Sequence, residues 1–299
     1  MAITPRSFVV NPALLVVMSA SILLSGAFIF CGFGQTCSKR LSYWESVKSA
    51  CGPATDATSW SEHDWQQHVF CFVEQRDYTA AYAAATEAVR HYPKSESLLN
   101  LRGFAAGRNG EHSVAAYDFR EGLRVTGSPS GVFENNIAWT MLWQLQGLDP
   151  ERAERVLLQS RGLYERSLRK QWSCERVHTG MFVEYAIADL RARSTTQGRA
   201  DQGVQQAVRR YVDLYEQYQP CWSRIVGGDE MVVEEVLSAA VVDQEMGYIA
   251  GVDRPTRHLS WFDLAQETAQ REGVVADEAY CEGIIPVASA VPACKALLR

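Results

Sequence analysis

Six histidines, His63, His68, His91, His112, His178 and His258, are the first residues to weigh for chemistry. None stands in an HExxH spacing or in another that brings two ligands to one helix face, so no metal site is assigned. His63 and His68 lie five positions apart, about 500° around a helix, and their diverging rings suit a solvated or partly packed surface. No GxSxG elbow, phosphate loop or dinucleotide fingerprint occurs. The acidic runs Asp229-Glu230 and Glu234-Glu235 remain as acid/base candidates, yet carboxylates in the first turn of a helix are ordinarily surface groups favoured by its dipole. The sequence therefore assigns no catalytic residue and no cofactor.

Cysteine is the other reactive side chain in number. Seven of the eight cysteines, Cys37, Cys51, Cys71, Cys174, Cys221, Cys281 and Cys294, follow an apolar amino-terminal stretch, with no CxxC pair and no metal-ligand spacing. Disulfides in an oxidising compartment account for them best, with Cys281 and Cys294 as the expected pair across the tail. The remaining reading is that several are small buried apolar residues.

The apolar stretch runs from Ala13 to Phe33, twenty-one residues without a formal charge. Roughly twenty such residues span a bilayer core as a helix, which predicts a single transmembrane anchor over residues 13–33. The same stretch also divides as a signal peptide: Arg6, the apolar run Leu14 to Leu24, then Ser25-Gly26-Ala27. Because Phe28, Ile29 and Phe30 continue the run past that cleavage site, the uncleaved anchor is preferred, with the remainder of the chain outside the cytoplasm. A net charge of −6 without a basic patch argues against nucleic acid as a partner.

Helices must position whatever this chain does. Ala, Leu, Glu, Gln and Arg dominate between short Gly or Pro breaks, and no sustained two-residue alternation argues for strands. The pattern divides as follows: residues 1–34 the anchor or signal peptide, 35–60 a tether broken at Gly52-Pro53, and 61–194 helical hairpins. Residues 195–273 are then carboxy-terminal helices that cap the array, and 274–299 an irregular cysteine-containing tail. Ser61 with Asp64 forms an amino-terminal cap. Helix A of the first hairpin is expected over Trp65 to Gln75, with a turn at Arg76-Asp77 and helix B over Tyr78 to Tyr92 before Pro93. A second unit spans Ser95 to Gly127. A third begins at Val132, turns at Gly147 to Pro150 and continues over Arg152 to Tyr164. Val177 to Arg191 and Val204 to Tyr218 form a fourth, degenerate pair. Glu230 to Ala250, Ser260 to Glu272 and Pro292 to Leu298 also have helical spacing.

The unit length of about thirty-four residues marks stacked helix pairs. Trp65, Tyr78, Ala81, Ala88 and Pro93 stand in the register of the tetratricopeptide repeat, and Gly103, Gly110, Ala115 and Phe119 continue it, so residues 61–194 resemble that family. The resemblance implies an all-α, right-handed superhelical array of antiparallel helix pairs, preceded here by the amino-terminal membrane helix. It also implies a concave surface lined by helix A. Carried onto this sequence, the lining positions are His63, Gln66, Phe70, Val73 and Glu74; Asn100, Phe104 and Arg108; and Asn135, Trp139, Leu142 and Trp143. Of these, Phe70, Glu74, Asn100, Phe104, Arg108, Asn135, Trp139 and Trp143 are the candidate partner-binding groove. Asparagine can both donate to and accept from a peptide main chain, while flat apolar rings dominate interface energies. The alternative for Phe70, Phe104, Trp139 and Trp143 is burial between neighbouring helices. The implied function is a non-enzymatic, membrane-anchored scaffold holding a partner protein or extended peptide within an envelope complex. The alternative is a cleaved, secreted or periplasmic structural protein that self-associates through its repeats.

Overall fold

The computed structural model describes residues 59–225, 230–251 and 278–297. The expected anchor over 13–33, the tether and the helix expected at Ser260 to Glu272 lie outside these residues. Among the described residues there are eleven α-helices and no strand: α1 (Glu62–Glu74), α2 (Tyr78–His91), α3 (Glu96–Arg108), α4 (His112–Thr126), α5 (Val132–Trp143), α6 (Pro150–Lys170), α7 (Cys174–Ser194), α8 (Gln202–Tyr218), α9 (Glu230–Ala250), α10 (Glu278–Ile284) and α11 (Val291–Leu297). No described helix is long and apolar enough to cross a membrane.

Local chemistry sets the boundaries. Ser61 and Asp64 form a reciprocal capping box at α1, so that helix starts three residues before the expected Trp65. Asp77, Ser95 and Asp149 each accept from a backbone N–H of the helix that follows, and Pro150 occupies the first turn of α6, where its missing donor costs nothing. Gly127 ends α4 in the left-handed conformation, φ 72°. The turn at Arg76 is unusual in using a non-glycine residue at φ 58°. Helix α6 outlasts its expected end at Tyr164 by six residues. The hydroxyl of Ser167 donates to the Gly131 carbonyl (2.6 Å), and Lys170 Nζ donates to the Ser128 carbonyl (2.6 Å) and to Glu134 (2.5 Å), so tertiary bonds hold the last turn.

Each helix packs on its successor from α1 through α8, and the odd-numbered helices α1, α3, α5 and α7 also touch in order, which makes them a continuous inner row. Close approach depends on small residues. A Cβ at Gly103 would lie 2.5 Å from the Phe119 ring, and one at Gly122 would meet the Phe133 ring, so glycine is what lets α3 approach α4 and α4 approach α5. Helix α8 buries Val204, Ala207, Tyr211, Leu214 and Tyr218, a three-four spacing that places one stripe against α7. Helix α7 is buried on every side from Arg176 to Ala188, because α5, α6, α8 and α9 surround it.

Among the described residues one apolar core runs from Ala138 and Leu142 of α5 through α7, α8 and α9 to Cys281 and Cys294. In the tail, α11 (Val291–Leu297) falls where a helix over Pro292 to Leu298 is expected, and α10 precedes it through a 3-10 turn at Ala288–Ala290. Cys281 and Cys294 are bonded, as their positions suggested, and Cys174 is bonded to Cys221, tying the start of α7 to the turn after α8. These disulfides among the described residues suggest folding in an oxidising environment.

Candidate functional site

A cavity of about 600 Å³ lies between α3, α5, α7, α9 and α10. Helix α5 presents Asn135, Asn136, Trp139, Thr140 and Trp143 to it, a one-turn spacing that turns a single face inward. Helix α3 adds Phe104 and Arg108 one turn apart, with Gly103 and Gly107 on the same wall; their lack of side chains keeps that wall back. Glu175, His178 and Thr179 enter from the amino-terminal end of α7, Glu234, Glu235 and Ser238 from α9, and Tyr280 and Glu282 from α10.

The best-built contact crosses the cavity. Arg108 donates Nη1 to Glu234 Oε2 (2.7 Å) and Nη2 to Oε1 (3.0 Å), while its Nε donates to the Tyr78 hydroxyl (3.3 Å) and its guanidinium lies 5.4 Å from the centre of the Tyr78 ring. Burial by itself would lower the Arg108 pKa, but the Glu234 bonds outweigh it and hold the guanidinium charged above its ordinary range. Glu235 accepts from the Tyr218 hydroxyl at 2.8 Å.

Three asparagines form an amide ladder across the inner row. Asn136 Nδ2 donates to Asn100 Oδ1 (2.6 Å), and Asn135 Nδ2 donates to Asn136 Oδ1 (3.3 Å). With the amides oriented in this way, Asn135 Oδ1 is a buried acceptor with no hydrogen-bond partner. Asn135 is only 7% exposed. Flat aromatic groups stand beside it. His112 stacks on Trp143 with ring centres 4.4 Å apart and planes 10° from parallel, and burial pushes the His112 imidazole below its ordinary pKa, favouring the neutral form.

His178 Nε2 and Ser238 Oγ are 2.8 Å apart, a pairing that invites comparison with a nucleophile and its base. The Ser238 hydroxyl also lies 2.9 Å from the Glu235 carbonyl and donates to it, so the shared hydrogen on the other bond comes from the imidazole. The ring is therefore a donor to Ser238 and does not receive its proton, the reverse of an activated serine.

Five of the eight expected groove residues, Phe104, Arg108, Asn135, Trp139 and Trp143, line the cavity, and three do not. Phe70 (38% exposed) and Glu74 sit on α1, the far end of the inner row, away from the cavity walls. Asn100 supports the ladder from behind, its carbonyl engaged by Asn136. The aromatic pair is neither free surface nor full core: Trp139 and Trp143 are half-buried, Trp139 packing edge-on against Phe182. Val73 and Leu142 belong to the core, as does His68, whose ring meets the edges of Trp60 and Phe72 and is not solvated.

The carboxylates Glu234 and Glu235 are not the surface groups expected of them. Glu234 is 8% exposed and closes the cavity opposite α3; Ser238 is absent from the sequence reading, and His178 enters it only as one of six dispersed histidines. One signal was available: Glu234-Glu235 interrupts Met231-Val232-Val233 and Val236-Leu237, and a carboxylate inside an apolar run needs a buried partner. A second cavity of about 940 Å³ lies beyond Trp143, between the start of α6, the end of α7 and the tail. Leu148, Leu157, Leu190 and Pro286 line it, and Trp143 and Glu282 border both spaces. No protein-family model matches this chain, and no curated protein matches its sequence.

Proposed function

We propose that this protein is a non-catalytic docking scaffold. On this reading residues 61–194 form a right-handed superhelix of tetratricopeptide-type pairs that the helices after them cap, anchored through residues 13–33 with the helical domain outside the cytoplasm. An extended segment of a partner protein lies in the cavity. The observation that carries the reading is the inner face of α5, where the amides of Asn135 and Asn136 and the rings of Trp139 and Trp143 meet one internal space. Amides that both donate and accept suit a peptide main chain, and half-buried aromatic rings suit its side chains. The disulfides support the extracytoplasmic placement.

The groove of this scaffold is shorter than the helix count implies. Helix α9 and the tail cover its carboxy-terminal half, and Arg108, a natural anchor for an acidic partner, is already paired within the chain.

The test is affinity purification of the full-length protein from detergent-solubilised membranes, beside an Asn136→Ala/Trp139→Ala form matched to it in circular dichroism. A partner recovered with the parent and lost with the variant is the expected result. Equal recovery from both would overturn docking in this cavity. A larger mass in solution, with no partner in either form, would favour the self-associating alternative, for which exposed Tyr117, Leu158 and Val212 on α4, α6 and α8 offer apolar contacts.

A further inference from the structure

We propose that the solvent face of α6 is a membrane-facing surface that rests on anionic lipid headgroups. The inference goes beyond docking in the cavity, and it takes its occupant from the anchored reading, in which residues 13–33 confine the helical domain to the neighbourhood of a bilayer.

Helical periodicity assembles the charge. The chain as a whole is acidic at net −6, yet α6 carries six basic residues against three carboxylates. Its buried residues are Ala153, Leu157, Ser160, Tyr164 and Ser167. Arg155, Gln159, Gly162, Arg166 and Arg169 each follow one of these by two positions, about 200° of helical rotation, so they form a stripe on the opposite face. Arg155, Arg166 and Arg169 are exposed, make no ion pair or hydrogen bond through their side chains among the described residues, and are spread over about 21 Å of helix. The carboxylates of α6 do not cancel them. Arg191 Nε donates to Glu154 (2.7 Å) and Arg210 Nη1 donates to Glu165 (2.6 Å), which leaves Glu151 in the first turn as the exposed acid of this helix.

A basic stripe alone attracts any polyanion, and three further observations choose the lipid. Trp172, just past the end of the stripe, is 49% exposed, and Leu158 on its flank is 42% exposed. An exposed ring and an aliphatic chain beside arginines are the composition of a membrane interface, where the apolar groups enter the headgroup layer and the cations meet phosphates. The stripe is also convex, since it lies opposite the buried row of its own helix, and it offers no groove to hold a strand. A bilayer is a continuous sheet of phosphates and needs none. The disulfides, finally, suit an oxidising compartment, away from nucleic acid. Each arginine near an anionic surface adds about fivefold to partitioning, so three supply about a hundredfold, enough to orient a domain already held beside the bilayer.

The experiment reconstitutes the full-length protein, with a fluorescent non-canonical amino acid at exposed Gln159, into vesicles of phosphatidylcholine alone or mixed with phosphatidylglycerol, and reads energy transfer to an acceptor on the headgroups. Transfer is expected to be at least about twofold higher with phosphatidylglycerol, and to fall to the phosphatidylcholine level at about 1 M salt, where the Debye length shrinks to about 3 Å. Arg155→Gln/Arg166→Gln/Arg169→Gln, matched to the parent in circular dichroism, is expected to lose the difference, and Arg155→Lys/Arg166→Lys/Arg169→Lys to keep it. Equal transfer in the two lipids, or a difference that survives in the glutamine form, would overturn the proposal. So would a DNA duplex or an acidic peptide bound by the parent and lost in the glutamine form while transfer stays flat, a result that gives the face to that partner. Flotation of the same samples separates the anchor from the face. Protein that floats with both lipids and shows flat transfer keeps its anchor and loses the proposal. Protein that floats only with phosphatidylglycerol, and not at all as the glutamine form, keeps the face and loses the anchor.

Discussion

Replacing Arg108 with methionine keeps the aliphatic stem over the Tyr78 ring and removes the guanidinium, leaving the Glu234 carboxylate without its bidentate partner. Breaking a fully buried pair in this way costs about 3–5 kcal/mol. Here the side chain of Glu234 is 10% exposed and that of Arg108 is 27% exposed, so water reaches the site in part and a loss of about 2–3 kcal/mol is expected. With a urea dependence of about 2–3 kcal/mol per molar for a domain of this size, the unfolding midpoint should fall by about 1 M. Replacing both partners, Arg108→Met with Glu234→Leu, removes the orphaned charge and should recover half or more of that loss. The two changes are therefore strongly non-additive. Urea unfolding followed by far-ultraviolet circular dichroism measures all four corners of the cycle. A loss under 0.5 kcal/mol for Arg108→Met, or additivity of the two changes, would show that α9 is not held to α3 by this pair.

Gly103→Ala forces a Cβ to within 2.5 Å of the Phe119 ring, and the overpacking should lower stability by about 1–3 kcal/mol, read as a fall in melting temperature; an unchanged melt would refute the close approach of α3 and α4. The Cys174–Cys221 bond closes 47 residues and Cys281–Cys294 closes 13, so serine replacement of the first pair should cost about 4 kcal/mol and of the second about 3, with thermal melts ordering them. Glu134 is buried, which raises its pKa, but its bond to Lys170 pulls the carboxyl below the ordinary range. Its stabilising contribution is thus complete above the unfolded value of about 4.3 and is lost as pH falls through the lower folded value. Burial pushes Asp118 the other way despite its bond to Arg102 at 2.8 Å, so the folded state takes up that proton first and gains stability on acidification. Urea midpoints between pH 7 and pH 3.5 should accordingly flatten in Glu134→Gln and steepen in Asp118→Asn, and parallel curves would contradict both assignments.

Elements with local signals were legible in the chain. The apolar run bounded by Asp229 and by Gly251 at φ 68° marks α9, whose observed limits Glu230–Ala250 match the pattern. Ser61 with Asp64 reveals the start of α1, and Cys281 and Cys294 lie close enough along the tail to suggest their bond. Five residues of the cavity lining were legible because a helix face repeats at one-turn spacing, so a single register places Asn135, Trp139 and Trp143 together. What was hidden is what sequence neighbours do not encode. Arg108 and Glu234 are 126 residues apart, and nothing near either names the other. The same holds for His178 with Ser238 and for Cys174 with Cys221. The last turn of α6 was missed for a related reason, since Lys170 is held by Ser128 and Glu134 across a hairpin, and helix propensity does not register that restraint.

The walls of the cavity come from residues as early as Gly103 and as late as Ile284. Hairpins such as α3 with α4 depend on contacts between near neighbours and can form while synthesis is still under way, whereas long-range contacts are established late. The cavity is therefore among the last features of the domain to take shape, after the hairpins that flank it are already helical. A chain halted before α9 would have its helices and no closed site. Closure of this cavity thus reports completion of the polypeptide, and a stalled or clipped molecule would carry the helical hairpins without the enclosed space.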